Sequence, residues 1–280
     1  SGIETLKFAD TEVTLTADGG QEVLVNTHVE NTQNTSSSAG LKDGGYVVTW
    51  QGNYQDDDGS SYNVYGQRYG ASGDALGDEF LVNTATSGNQ YYSSVTGLES
   101  GGFFITWYDT SGADNPAGGS NYDVFGQLYD AAGDTVGSEI RVNSTTYHHQ
   151  SLPSVTSLSD GGFVVTWQSS GQDGSNYGIF GQRYDAQGNS FGDEFQVNTY
   201  TSSHQYDPSV TALKDGGFMV TWESNGQDGS GYGIYGQRFG VDGSTNPFFA
   251  SAEAFNNAGG LDDATVAVDV LHDAVASLHQ

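Results

Sequence analysis

The chain has 280 residues, with 35 Asp+Glu against 7 Lys+Arg and a formal charge of −28. That balance argues against nucleic acid and anionic membrane surfaces, whose phosphates it repels, and suits saline solvent, cationic surfaces or divalent cations. The absence of cysteine rules out disulfides and thiolate metal sites. No apolar run reaches the ~18 residues of a spanning helix, so membrane insertion is not expected.

The 41 glycines and 17 tyrosines point to an all-β protein with many tight turns. Residues 1–21 form an extension ahead of everything else. Leu6 and Phe8, then Val13 and Leu15, alternate with polar residues, which is the period of one or two strands. The segment lacks the pattern of a signal peptide.

Four repeated units fill residues 22–243. Each opens on a strand ending in Val-Asn-Thr/Ser: Glu22–Thr27, Glu79–Thr84, Glu139–Ser144 and Glu194–Thr199. A polar stretch follows, with Gln33, Gln90, Gln150 or Gln205 at one fixed place. A short strand closes at Leu41, Leu98, Leu158 or Leu213. A Gly-Gly turn then leads into a strand ending at Trp50, Trp107, Trp167 or Trp222. The last strand carries Gly-Gln at Gly66, Gly126, Gly181 and Gly236.

The Thr/Ser-to-Leu distance is 14 residues in all four units and the Leu-to-Trp distance is 9. Only the distance from Trp to the Gly of Gly-Gln varies, at 16, 19, 14 and 14. A framework that frees one loop and fixes the rest presents variable loops on one side. Four short strands per unit, joined by Gly-rich turns, predict a four-repeat β-propeller-like domain of four four-stranded blades. If the Val-Asn-Thr strands are outermost, Glu22–Thr27 completes blade four and closes the ring. Residues 244–280 form a tail. Within it Val266, Val270, Ala274 and Leu278 follow Asp262-Asp263 at i, i+4 spacing and predict a helix at about 262–279.

The alternation in Phe163, Val165 and Trp167 makes the four tryptophans core residues between blades. Asp43, Asp160 and Asp215 in the Gly-Gly turns match Arg68, Arg183 and Arg238 after Gly-Gln. Unit two loses both together, to Ser100 and Leu128, so an Asp–Arg pair within each blade is inferred as a structural bond. The variable loops hold Asp56, Asp57 and Asp58 in unit one, Asp114 in unit two, Asp173 in unit three and Asp228 in unit four. Oxygen-rich loops of this kind suit Ca²⁺, although Asp-Gly is equally a hairpin signal. The fixed glutamines either line a channel as ligand-binding residues or satisfy strand ends. His148 and His204 fall beside them and offer imidazole to a transition metal. No nucleophile elbow, zinc-protease helix, phosphate loop or dinucleotide fingerprint occurs.

The text Gly-Gly-Phe-Val-Val-Thr-Trp…Gln-Asp-Gly-Ser…Gly-Gln-Arg-Tyr…Phe-Gln-Val-Asn-Thr resembles repeats of large RTX-type bacterial proteins. Ile3-Glu4-Thr5-Leu6-Lys7-Phe8-Ala9-Asp10 resembles the segment that follows an RTX calcium array. The resemblance implies type I secretion, calcium-rich surroundings and an extracellular or cell-surface location. The calcium-binding nonapeptide itself is absent, so calcium in a β-roll is not implied.

These observations read as a secreted, non-catalytic repeat protein that binds a surface, glycan or protein partner, with Ca²⁺ in its loops. One alternative is a self-assembling surface-layer or filament subunit, with terminal segments packed on the next copy. Another is a polysaccharide-degrading enzyme with carboxylates on the propeller face. Near-identity of the units argues against an enzyme, because a single active site ordinarily breaks a repeat. Unit two does break it.

Overall fold

The computed structural model describes residues 4–8, 11–15, 22–53, 62–112 and 121–245. β1 (Glu4–Phe8) and β2 (Thr11–Leu15) pair antiparallel with Leu6 opposite Val13, as the alternation predicts. The helix expected at 262–279 lies outside the described residues.

Each repeat forms one antiparallel sheet. Blade one is β3 (Gln33–Gly40), β4 (Tyr46–Asn53), β5 (Tyr62–Tyr69) and β6 (Ala75–Leu81). Blade two is β7 (Gln90–Gly97), β8 (Phe103–Asp109), β9 (Asp123–Tyr129) and β10 (Thr135–Arg141). Blade three is β11 (Gln150–Ser157), β12 (Phe163–Ser170), β13 (Tyr177–Tyr184) and β14 (Ser190–Gln196). Blade four is β15 (Gln205–Ala212), β16 (Phe218–Asn225) and β17 (Tyr232–Phe239). Strands in every blade are ordered as in the sequence. First strands pack on one another, β3 on β7, β7 on β11 and β11 on β15. They are therefore innermost, and the strands leading to Val-Asn-Thr are outermost. This is the propeller arrangement the repeat predicts.

One expectation needs correcting. Among the described residues blade four has three strands, and Glu22–Thr27 forms no backbone bond to β17. That segment lies against blade one instead. Tyr69 Oη donates to the Val25 carbonyl at 3.1 Å, and the Thr27 N–H and hydroxyl both donate to Glu79 Oε2, at 2.9 and 2.8 Å.

The Gly-Gly turn needs both of its glycines, for different reasons. Gly44, Gly101, Gly161 and Gly216 hold φ of 86°, 93°, 89° and 89°, which other residues seldom adopt. A Cβ on the second glycine would collide with a carbonyl oxygen of the third strand: Gly45 with Tyr69, Gly102 with Tyr129, Gly162 with Tyr184 and Gly217 with Phe239. The turn thus brings the second strand back against the third.

The core lies in the seams between blades. Leu98, Phe104, Val124 and Val142 of blade two pack against Val155, Phe163, Val165 and Trp167 of blade three. Equivalent positions fill the other two seams. Phe163, Val165 and Trp167 face one seam and Val164 the next, the alternation read from the sequence. Trp50, Trp107, Trp167 and Trp222 are 3%, 1%, 0% and 6% exposed, so they are core and offer no surface to a ligand. Burying each such side chain contributes about 2–3 kcal/mol.

Candidate functional site

The variable loops join second and third strands, and first strands begin at the same end of each blade. Aromatic rings collect there. Tyr62 of blade one lies 5.2 Å from Tyr91 of blade two, which is 5.7 Å from Tyr108. Tyr108 is 5.7 Å from Tyr122, which is 4.1 Å from His149 of blade three. Tyr177 of blade three continues to Tyr206 at 5.2 Å and His204 at 6.1 Å, and Tyr206 to Tyr232 at 6.3 Å. Parallel bridges between blades, Tyr62 with Asn89, Tyr122 with His149 and Tyr177 with His204, hold the rings in line.

The belt is amphipathic. Tyr62, Tyr91, Tyr108, Tyr122, Tyr177 and Tyr206 are half-buried, and Tyr92 and Tyr232 are exposed. Burial, then repulsion between neighbouring phenolates, raises Tyr91, Tyr108, Tyr177 and Tyr206 above the ordinary 10.0, so all four are neutral hydroxyls near pH 7. Burial also lowers His149, with His148 adding to the effect.

Each first strand bends beside this belt. Register shifts fall two residues after the fixed glutamine, where Thr35, Tyr92, Leu152 and Asp207 all hold φ of 52°. Left-handed backbone at residues other than glycine, inside a bulge, is a device that re-aims a side chain. The preceding blade fixes the bend in two cases. Gln51 Oε1 accepts the Tyr92 N–H at 3.0 Å, and Gln168 Oε1 accepts the Asp207 N–H at 3.3 Å.

Blade four alone places carboxylates at both of these positions. Asp207 takes the bulge position, and Glu223 takes the place of Gln51, Tyr108 and Gln168 after the tryptophan. Glu223 is paired in register with Tyr206, so both lie on the face that carries the belt. Asp207 is exposed and Glu223 half-buried. Blade two has its own acidic pair, Asp109 opposite Asp123. These are 4% and 3% exposed. Asp109 accepts from Gln90 Nε2 at 3.2 Å and Asp123 from Asn143 Nδ2 at 2.6 Å.

The structure gives the residues singled out by sequence largely framework roles. Gln90, Gln150 and Gln205 are 0% exposed. Each donates to the carbonyl three residues back, of Ser87, Tyr147 and Ser202, and Gln33 does the same to Glu30. They lock the turn that enters the first strand, the second of the two roles the sequence offers them. Asp56, Asp57, Asp58 and Asp114 lie outside the described residues. Asp173 and Asp228 cap their hairpins, accepting the N–H of Ser175 and Ser230 at 3.0 Å each. The other oxygen of Asp173 faces Asn198 Nδ2 at 3.5 Å, the place that Asn63 and Asp123 take in blades one and two. Among the described residues no three acidic or histidine side chains gather as a metal site. His204 Nδ1 lies 2.7 Å from the Tyr206 hydroxyl.

The Asp–Arg pair forms in blades three and four, between Asp160 and Arg183 at 2.8 Å and between Asp215 and Arg238. In blade one it does not. Asp43 caps the turn by accepting the Gly45 N–H, while Arg68 donates to the carbonyls of Ala131 and Ala132 in blade two.

No family model and no curated protein matches the chain. Among solved structures it is similar to the Hadza microbial sialidase Hz136, at 11% identity and a TM-score of 0.54, over 78% of this chain and 47% of that one. It is also similar to the GH93 α-L-arabinofuranosidase of Fusarium graminearum in complex with arabinobiose, at 11% identity and a TM-score of 0.51, over 73% and 61%. The chain spans less than two thirds of either. At such identities the likeness shows the fold. It also corrects the non-catalytic reading drawn from repetition, since both structures are enzymes named for acting on sugars. Among the described residues no helix is long and apolar enough to cross a membrane.

Proposed function

We propose that the protein is a glycan-acting hydrolase that holds a saccharide chain along the tyrosine belt. The observation that carries this reading is the belt itself, two runs of part-exposed phenol rings at the same end of the blades, Tyr62 to Tyr122 and Tyr177 to Tyr232. Aromatic faces match the apolar C–H faces of sugar rings, and neutral hydroxyls bond to their edges. Asp207 and Glu223 supply the paired carboxylates that glycoside cleavage requires. One protonates the leaving oxygen and the other activates water or attacks the sugar carbon. The likeness of fold to enzymes acting on sugars supports the reading. Resemblance to RTX-type proteins supports action outside the cell, in calcium-rich surroundings.

The test is reducing-end release from a panel of plant, algal and animal polysaccharides. Asp207→Asn and Glu223→Gln are each expected to slow release by about 10²-fold or more, with binding retained in affinity electrophoresis. Unchanged release in both variants removes these residues from the chemistry. Retardation by a polysaccharide without release by the wild type removes the hydrolase.

A further inference from the structure

The outer edge of blade four and the N-terminal strand are complementary. Ile234 on β17 is 75% exposed, whereas its counterparts Val64, Val124 and Ile179 are 0% exposed beneath their outer strands. In those blades the outer valine donates its N–H to that residue's carbonyl, Val82 to Val64, Val142 to Val124 and Val197 to Ile179. The next residue, Asn83, Asn143 or Asn198, accepts the N–H in return at 2.8, 2.6 and 2.7 Å. Blade four has the matching acceptors and donors on β17 and no strand to use them among the described residues.

Glu22-Val23-Leu24-Val25-Asn26-Thr27 carries the text of that strand, and residues 240–280 contain no Val-Asn-Thr. It is already folded for the role. Asn26 Nδ2 donates to the His28 carbonyl as Asn83 does to Ala85 and Asn198 to Tyr200. Thr27 donates to Glu79 just as Ser144 donates to Glu194 across a seam. The segment therefore sits on blade one as the outer strand of a preceding blade, with Val23 and Leu24 72% and 71% exposed.

We propose that the Glu22–Thr27 strand of a second copy of this chain adds to β17. By the register of the other blades, Val25 donates to the Ile234 carbonyl, Asn26 accepts the Ile234 N–H and Val23 lies opposite Gly236. The seam between copies then repeats the seam between blades. The contact joins two different surfaces, so it propagates head to tail or closes a ring of copies.

The chain has no cysteine, so a paired-cysteine experiment reads the contact directly. Val25→Cys and Ile234→Cys are combined in the full chain and oxidised at about 0.5 M salt, where repulsion between acidic copies is screened. The expected product is a reducible ladder extending beyond the dimer, while each single variant stops at a dimer. A thiol-free monomer overturns the proposal, because one chain then closes on itself. A monomer with free thiols overturns it too, because the edge is then covered by something else. The unmodified chain gives an independent reading. Its sedimentation mass is expected to rise with concentration and Ile234→Lys to abolish the rise. A concentration-independent monomer overturns the inference.

Discussion

Arg183 donates to Asp160 at 2.8 Å with its own side chain 5% exposed and that of Asp160 42% exposed. The arginine also lies 4.9 Å over the Phe191 ring, and two of its nitrogens, Nε and Nη1, bond to no described group. Removing the acid leaves a buried cation without its partner, whereas removing the arginine leaves a solvated carboxylate. Asp160→Ala is therefore expected to cost about 2–3 kcal/mol, discounted because the acid is partly wet. Arg183→Leu, which copies Leu128 of blade two, should cost within about 1 kcal/mol. Urea midpoints of the two variants check this order.

The tryptophans and tyrosines separate stability from binding. Trp167→Ala empties a fully buried site and should cost about 3–5 kcal/mol. Tyr92→Ala and Tyr232→Ala remove exposed rings and should leave the melting temperature nearly unchanged. Each should weaken polysaccharide binding about ten-fold, or ~1.4 kcal/mol, in calorimetric titration.

Alkaline pH should loosen the belt. The folded pKa values of Tyr91, Tyr108, Tyr177 and Tyr206 lie above the ordinary 10.0, because burial disfavours the phenolate. The folded state then holds protons that the unfolded state has released, so stability is full below pH 10 and falls as pH rises through the folded values. Urea midpoints between about pH 9 and 11.5, read with tyrosinate absorbance, should decline together. A flat midpoint above pH 10 contradicts the assigned direction.

Asn198 is 3% exposed and, besides the long contact with Asp173, closes three shorter bonds. Its Oδ1 accepts the Ile179 N–H at 2.7 Å, and its Nδ2 donates to the Tyr200 carbonyl and Gln205 Oε1 at 3.0 and 3.2 Å. Asn198→Ala strands a buried N–H and a buried glutamine oxygen, and should cost about 2–4 kcal/mol by chemical denaturation. Asn198→Asp keeps the acceptor but sets a buried carboxylate oxygen against the Tyr200 carbonyl, Gln205 Oε1 and Asp173 Oδ2, so near pH 7 it should cost at least as much as the alanine variant.

The framework was legible because its constraints are local. A positive φ, a glycine under a carbonyl and a fixed Leu-to-Trp distance recur within each unit, and repetition exposes them. The belt was not legible. Tyr62 meets Tyr91 and Tyr122 meets His149 across blades, and no spacing within a unit encodes that meeting. Arg68 failed as a pair for Asp43 for the same reason, since its partners Ala131 and Ala132 belong to the next blade. The non-catalytic reading weighed what the units share. Asp207 and Glu223 stand at positions where the units differ from one another, which the common pattern treats as filler.

The four bulged residues carry a design consequence. Thr35, Tyr92, Leu152 and Asp207 share φ of 52°, yet differ in size, polarity and charge. A glycine at any of them would relieve about 1 kcal/mol of conformational penalty. None of the four is glycine, so each blade gives up stability to keep a side chain at its innermost strand. The bend is anchored through main-chain N–H groups at Tyr92 and Asp207. At those two positions the side chain can be exchanged without losing the bond that holds the bend, so residue identity there is decoupled from the fold that displays it.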